Sequence, residues 1–145
     1  MDYIYYFFGF LFLMYEMYFL TSLKRHYKEA KEWHEFYQAN RDIKWDGMTK
    51  DQQNYAVRKL IVGIPMLFWT LTGLLTFQWF TFLAFLIVDF FFLGLVKKMV
   101  GYTKARIVVI GISTLLGIVT IAFIIINKFH LHIDTYSWFV ENILK

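Results

Sequence analysis

An all-α integral membrane protein with four spanning helices follows from three features of this chain. Residues 60 to 96 hold one charged side chain, Asp89, in thirty-seven positions. One crossing needs ~20 apolar residues, so this stretch predicts a hairpin of two helices turning near Gln78 and Trp79. Two further apolar runs of spanning length lie at residues 3–23 and 107–127. Thirteen of the fifteen Lys and Arg residues fall in segments 24–59 and 97–106, between the apolar runs. That distribution marks cytoplasmic loops and places both termini on the outer side. The location it predicts is the cell's cytoplasmic (inner) membrane, with the inner membrane of an organelle as the alternative.

The chain of 145 residues is sized for a single membrane domain. Spans are expected at about 3–23, 58–77, 80–96 and 107–127, cytoplasmic segments at 24–57 and 97–106, and an outer tail at 128–145. Cysteine is absent, which excludes disulfides, thiolate metal sites and a cysteine nucleophile. The net charge of +4 does not point to nucleic acid. Segment 24–59 carries nine basic residues against six acidic ones, whereas a nucleic-acid face presents one sign. Anionic membrane lipid is the better-matched neighbour.

The first span, 3–23, is read as retained, because it lacks the basic n-region and small-residue cleavage site of a secretory signal. Tyr3, Tyr5 and Tyr6 cluster at its outer end, where rings with polar tips favour the headgroup layer. Glu16 is its only charge. Residues 24–40 predict a continuation of the same helix into the cytoplasm, with Tyr27, Trp33 and Tyr37 on one face and the charges on the other. Arg25–Glu29, Lys28–Glu32 and Lys31–Glu35 are i,i+4 pairs of about 0.2–0.5 kcal/mol each. The aromatic face must cover the membrane surface, the next helix or a partner.

Asp46-Gly47 is a turn signal, and Thr49-Lys50-Asp51-Gln52 has the form of a capping box. A helix is expected from there to residue 77, kinked near Gly63 and Pro65 because proline removes a backbone donor. The fourth span is uncharged; Ser113 and Gly117 have the small-xxx-small spacing of close helix approach, which suits internal packing and homo-oligomer formation alike. In the tail, Asp134 is placed to cap a short interfacial helix with Tyr136, Phe139, Val140, Ile143 and Leu144 on one face.

The chemistry-bearing residues are the intramembrane acids. Asp89 lies eight residues from Lys97, and Glu16 eight from Lys24, so both carboxyls sit ~12 Å in from the basic boundary. A charged Asp at that depth costs ~2.5–3.5 kcal/mol on insertion scales, so it must face protein or water. One reading is that burial keeps a carboxyl neutral, and Thr114, at similar depth, is then in place to hydrogen-bond with it. No basic residue lies inside a span, so an ionic partner is expected from another chain. A structural contact, a partner contact and a proton or cation site all fit. No catalytic motif, metal site or cofactor motif is present: His130 and His132 lack a third ligand, and no P-loop, G-x-S-x-G or H-E-x-x-H occurs. The five tryptophans read as boundary or packing residues. The leading expectation is a non-catalytic accessory or assembly subunit of a larger membrane complex. The alternative is a small proton- or ion-coupled transporter or channel using Asp89 and Glu16, and a third is a toxin-immunity or lysis-type protein.

Overall fold

A run of apolar side chains has nothing with which to satisfy its own backbone, so it forms a helix, which pairs N–H with C=O internally. The computed structural model describes residues 2–144, and among them every regular element is helical. Four helices are long and apolar enough to cross a membrane: Asp2–Thr21, Lys50–Gly73, Trp79–Val100 and Ala105–Leu131. Phe7, Phe68, Phe90, Phe91 and Phe92 are all more than half exposed. An apolar surface of that extent suits hydrocarbon and not water.

Helix α1, Asp2–Thr21, ends at Ser22, and α2 runs from Leu23 to Ala39. The expected unbroken helix is therefore interrupted. Ser22 leaves helical geometry, its hydroxyl donates to the Tyr18 carbonyl at 3.0 Å, and the buried His26 ring nitrogen lies 2.9 Å from the Ser22 carbonyl oxygen. The break turns α2 back onto the bundle. Its aromatic face is covered by this chain: Tyr27 donates to the Tyr102 carbonyl at 2.6 Å, His34 stacks on the Tyr102 ring, and Trp33 lies 5.5 Å from the Tyr55 ring. Tyr37 stays half exposed beside Trp33.

Thr49 and Gln52 form the expected capping box and start α3, Lys50–Gly73. Glu29 of α2 is clamped between Arg25 and Arg58, joining α2 to α3. Partial burial pushes its carboxyl up, but hydrogen bonds and charge from the two guanidinium groups outweigh this and hold it below the ordinary 4.5. A lowered folded value means the clamp is complete above the unfolded pKa and is lost as pH falls through the folded one. Spin labels at Lys31 and Gln53 should therefore separate on acidification to below the ordinary glutamate range. In Glu29→Gln they should stand apart at every pH. Equal distances at neutral and acid pH would contradict the clamp.

Helix α3 passes through Pro65 without a break and stops at Gly73, short of the expected residue 77. Gly73 faces the Phe82 ring so closely that a Cβ would lie 2.4 Å from it. The chain then reverses through short-range turns over 74–78, where the hairpin was expected. The third span consists of α4 (Trp79–Leu86), a π-helical segment Ile87–Leu93 and α5 (Gly94–Val100). Gly101 follows at φ 58° and ψ −150°, a region only glycine occupies readily. Helix α6, Ala105–Ile126, continues into a second π-helical segment, Asn127–Leu131. Asp134 caps α7, Thr135–Ile143, as its position suggested. Tyr136 and Phe139 of α7 rest on Trp79 and Phe80, so part of the expected interfacial face covers the hairpin.

Helices α1 and α6 form the central pair. Gly111 admits Leu23, the first residue of α2, and Gly117 admits Glu16 of α1, so α1 and the start of α2 together cover the glycines of α6. Trp69 of α3 ties to α1 twice: its indole donates to the Tyr5 carbonyl at 2.9 Å, and the Tyr5 hydroxyl donates to the Trp69 carbonyl at 2.7 Å. Tyr5 and the buried Tyr6 thus face the bundle, while Tyr3 is exposed.

Candidate functional site

The two ends of the bundle differ. At the hairpin end, Gln78 and Asn127 are fully buried. The Gln78 amide donates to the Ile124 carbonyl at 2.9 Å, and Asn127 donates to Gln78 Oε1 at 2.9 Å and to the Ile133 carbonyl at 3.0 Å. The Ile133 N–H returns a bond to Asn127 Oδ1 at 2.7 Å. A π-helical widening disturbs the regular i→i−4 ladder, and here two side-chain amides serve the backbone at that point. This end is closed.

Toward the basic end the hairpin opens. Helix α3 packs on α4 and α1 but makes no substantial contact with the π-helical segment or α5. Between them lies a cavity of about 420 Å³. Its walls include apolar Phe19, Met66, Leu67, Phe85 and Leu86, and it receives Glu16 from α1 and Asp89 from the third span. Arg58, Lys59, Lys97 and Arg106 line it as well. On α3 the lining runs from Tyr55 to Thr70, and from Arg58 inward it covers a depth of ~18 Å along the helix axis.

The local fold accounts for the convergence of Asp89 and Lys97. Eight residues of plain α-helix leave two side chains about 80° apart around the axis. A π-helical ladder, bonded i→i+5, turns roughly 80–90° per residue instead of 100°. Four of the eight steps from Asp89 to Lys97 lie in the π-helical segment, so both side chains reach the same face. Ser113 of α6 stands between them. Lys97 Nζ donates to Ser113 Oγ at 2.9 Å, and Ser113 Oγ donates to the Asp89 carboxylate. Lys97 is half-buried whereas Lys98 is exposed.

Two expectations need correction here. Thr114 does not bind Asp89; its hydroxyl donates to the Ile110 carbonyl one turn back, at 2.9 Å. Ser113, read from sequence as a packing residue, is the partner. The difference is rotational: adjacent helix positions point about 100° apart, and equal depth does not make them equivalent. Nor must the counter-charge come from another chain, because Lys97 at the edge of its span turns inward.

Glu16 lies against Gly117, with its carboxyl carbon 3.8 Å from where a Cβ would stand. Gly117 thus gives the carboxyl its place against α6. Gly63 opens directly on the cavity, with nothing within 4 Å of an added Cβ. The surfaces of Tyr27 and Trp33 are spent on docking α2 above the cavity mouth. The sequence reading missed Tyr55, Gln78 and Asn127 as functional or architectural residues. Polar amides at the edges of apolar runs were a legible signal for the last two; for Tyr55, one tyrosine among ten, no such signal existed.

Chemically, the cavity combines two acids set between helices, one ammonium linked to an acid through a hydroxyl, and a rim of further cations. Such a set can hold and exchange protons or bind a charged solute. Compared with protein-family models, with curated proteins and with solved structures, the chain matches none of them.

Proposed function

We propose that this chain is a small multi-pass membrane protein that couples proton or cation binding at Asp89 and Glu16 to movement of a solute through the cavity. Both termini lie outside and segments 24–57 and 97–106 lie in the cytoplasm, in keeping with the positive-inside rule. The basic mouth of the cavity then faces the cytoplasm. The observation that carries the reading is the meeting of Glu16, Asp89 and Lys97, from different elements, on one cavity.

A proton on Asp89 removes the charge that Lys97 answers through Ser113, and the ammonium is free to turn toward the cavity mouth. Loss of that proton draws it back. Glu16 offers a second site across the cavity. Ionisable groups inside a membrane segment are costly and mark ion or proton paths when they face a polar cavity. The accessory-subunit reading looked to another chain for the counter-charge, and Lys97 offers it from within, which favours the transporter reading.

In liposomes loaded with a pH-sensitive dye, the wild-type chain is expected to pass protons under an imposed gradient. Asp89→Asn should reduce the flux to that of empty liposomes, and Glu16→Gln should reduce it in part. Flux indifferent to both substitutions would rule out coupling through these acids.

A further inference from the structure

The basic rim of the cavity has a feature that its own structure does not use. Tyr55 is 9% exposed, and its hydroxyl is buried without a hydrogen-bond partner among the described residues. Burial of an unsatisfied hydroxyl is costly, and a buried polar atom left alone in a native fold calls for a partner. Tyr55 lines the cavity beside Arg58 and Lys59, whose cationic groups lie 5.8 Å and 5.2 Å from its ring centroid. Lys59 makes neither an ion pair nor a hydrogen bond among the described residues. Lys97 and Arg106 approach from the opposite wall. Four cations on the cavity face two carboxylates, so the lining carries excess positive charge.

We propose that the cavity binds an anionic glycerophospholipid, its phosphate held by the Tyr55 hydroxyl with Lys59 and Arg58, and an acyl chain laid in the throat beside Gly63. Charge complementarity selects the head: a phosphate accepts from a hydroxyl and from cations through charge-assisted bonds. Basic pockets between membrane helices on the cytoplasmic side take such heads. The throat selects the tail. Below the rim, one wall is apolar, with Met66, Leu67, Phe85 and Phe90, while Glu16, Asp89 and Ser113 line the remainder, and α3 makes no substantial contact with the π-helical segment or α5. A depth of ~18 Å exceeds half the ~30 Å hydrocarbon layer, enough for most of one chain. A free phosphate ion would leave the apolar wall of Met66, Leu67, Phe85 and Phe90 uncovered. The proposal deepens the transporter reading by naming the solute class of the same cavity.

Native mass spectrometry of the intact chain in mild detergent tests it, with phosphatidylglycerol, phosphatidylcholine or inorganic phosphate added in turn. Phosphatidylglycerol is expected to stay bound where phosphatidylcholine is stripped. Lys59→Gln should weaken retention about tenfold, the loss of one charge-assisted contact, and Tyr55→Phe should weaken it by a smaller factor. Gly63→Trp places an indole in open space and should exclude the lipid, while circular dichroism shows the helices intact. Equal retention of the two lipids, binding of phosphate alone, or retention unchanged by Gly63→Trp would each overturn the proposal. The assay reads binding and not flux. Lipid retention with flux insensitive to Asp89→Asn leaves the lipid site standing and removes the coupling; proton flux without lipid selectivity does the reverse.

Discussion

Asn127→Leu is expected to unfasten the closed end of the bundle. The substitution removes a fully buried amide that binds Gln78, the Ile133 carbonyl and the Ile133 N–H. Each orphaned buried group costs about 1–3 kcal/mol, and no water is at hand at a site with no exposure. The expected loss is thus several kcal/mol, a large part of the whole stability of a small domain. A fall in thermal midpoint of the detergent-solubilised chain would register it, and a spin-label pair across the hairpin and the tail would show α7 leaving Trp79 and Phe80. A midpoint within a degree or two of wild type would mean that the amide network carries no weight. Gln78→Leu should reproduce most of the loss, and the double variant should fall short of the sum, because both residues belong to one network.

The second large effect is expected at Gly73. A methyl group there would sit 2.4–2.5 Å from three atoms of the Phe82 ring. Phe82 is 1% exposed and faces the Trp69 ring at 5.3 Å, so the ring has little room to retreat. Overpacking of a filled core costs about 1–3 kcal/mol and more when backbone must move. That outweighs the roughly 0.5–1 kcal/mol by which alanine favours a helix over glycine. Gly73→Ala should therefore destabilise the hairpin, and Phe82→Leu in the same chain should restore part of the loss by making room. If Gly73→Ala proved as stable as wild type, the close approach of α3 to α4 would carry no weight in the stability of the hairpin.

These two sites frame the architecture. The hairpin end is closed by an amide network and a glycine–phenylalanine contact, and at the other end α3 makes no substantial contact with the π-helical segment or α5. Closure at one end and opening at the other give the cavity its wedge shape. Asp89 and Glu16 sit within the wedge, where a carboxyl reaches other polar groups without touching hydrocarbon on all sides.

Hydropathy and charge spacing determined that the chain is helical, that it has four helices of spanning length, where the hairpin turns, and where α3 and α7 begin. Those are local properties: a run of ~20 apolar residues, a Thr-x-x-Gln box, an Asp before a short helix. They also singled out Asp89 and Glu16, because a charge in an apolar run is conspicuous without any structure. The tertiary structure alone decided their company. Whether Ser113 or Thr114 meets Asp89 depends on a rotation of about 100° between neighbouring positions. Whether Lys97 or Lys98 turns inward depends on the π-helical segment, which apolar side chains do not announce. The break at Ser22, the fate of the aromatic face of α2 and the lone hydroxyl of Tyr55 likewise arise from contacts between elements far apart in the chain. Burial of a backbone in helix is dictated residue by residue, but the pairing of polar groups is dictated by which faces meet, and that is a property of the whole bundle.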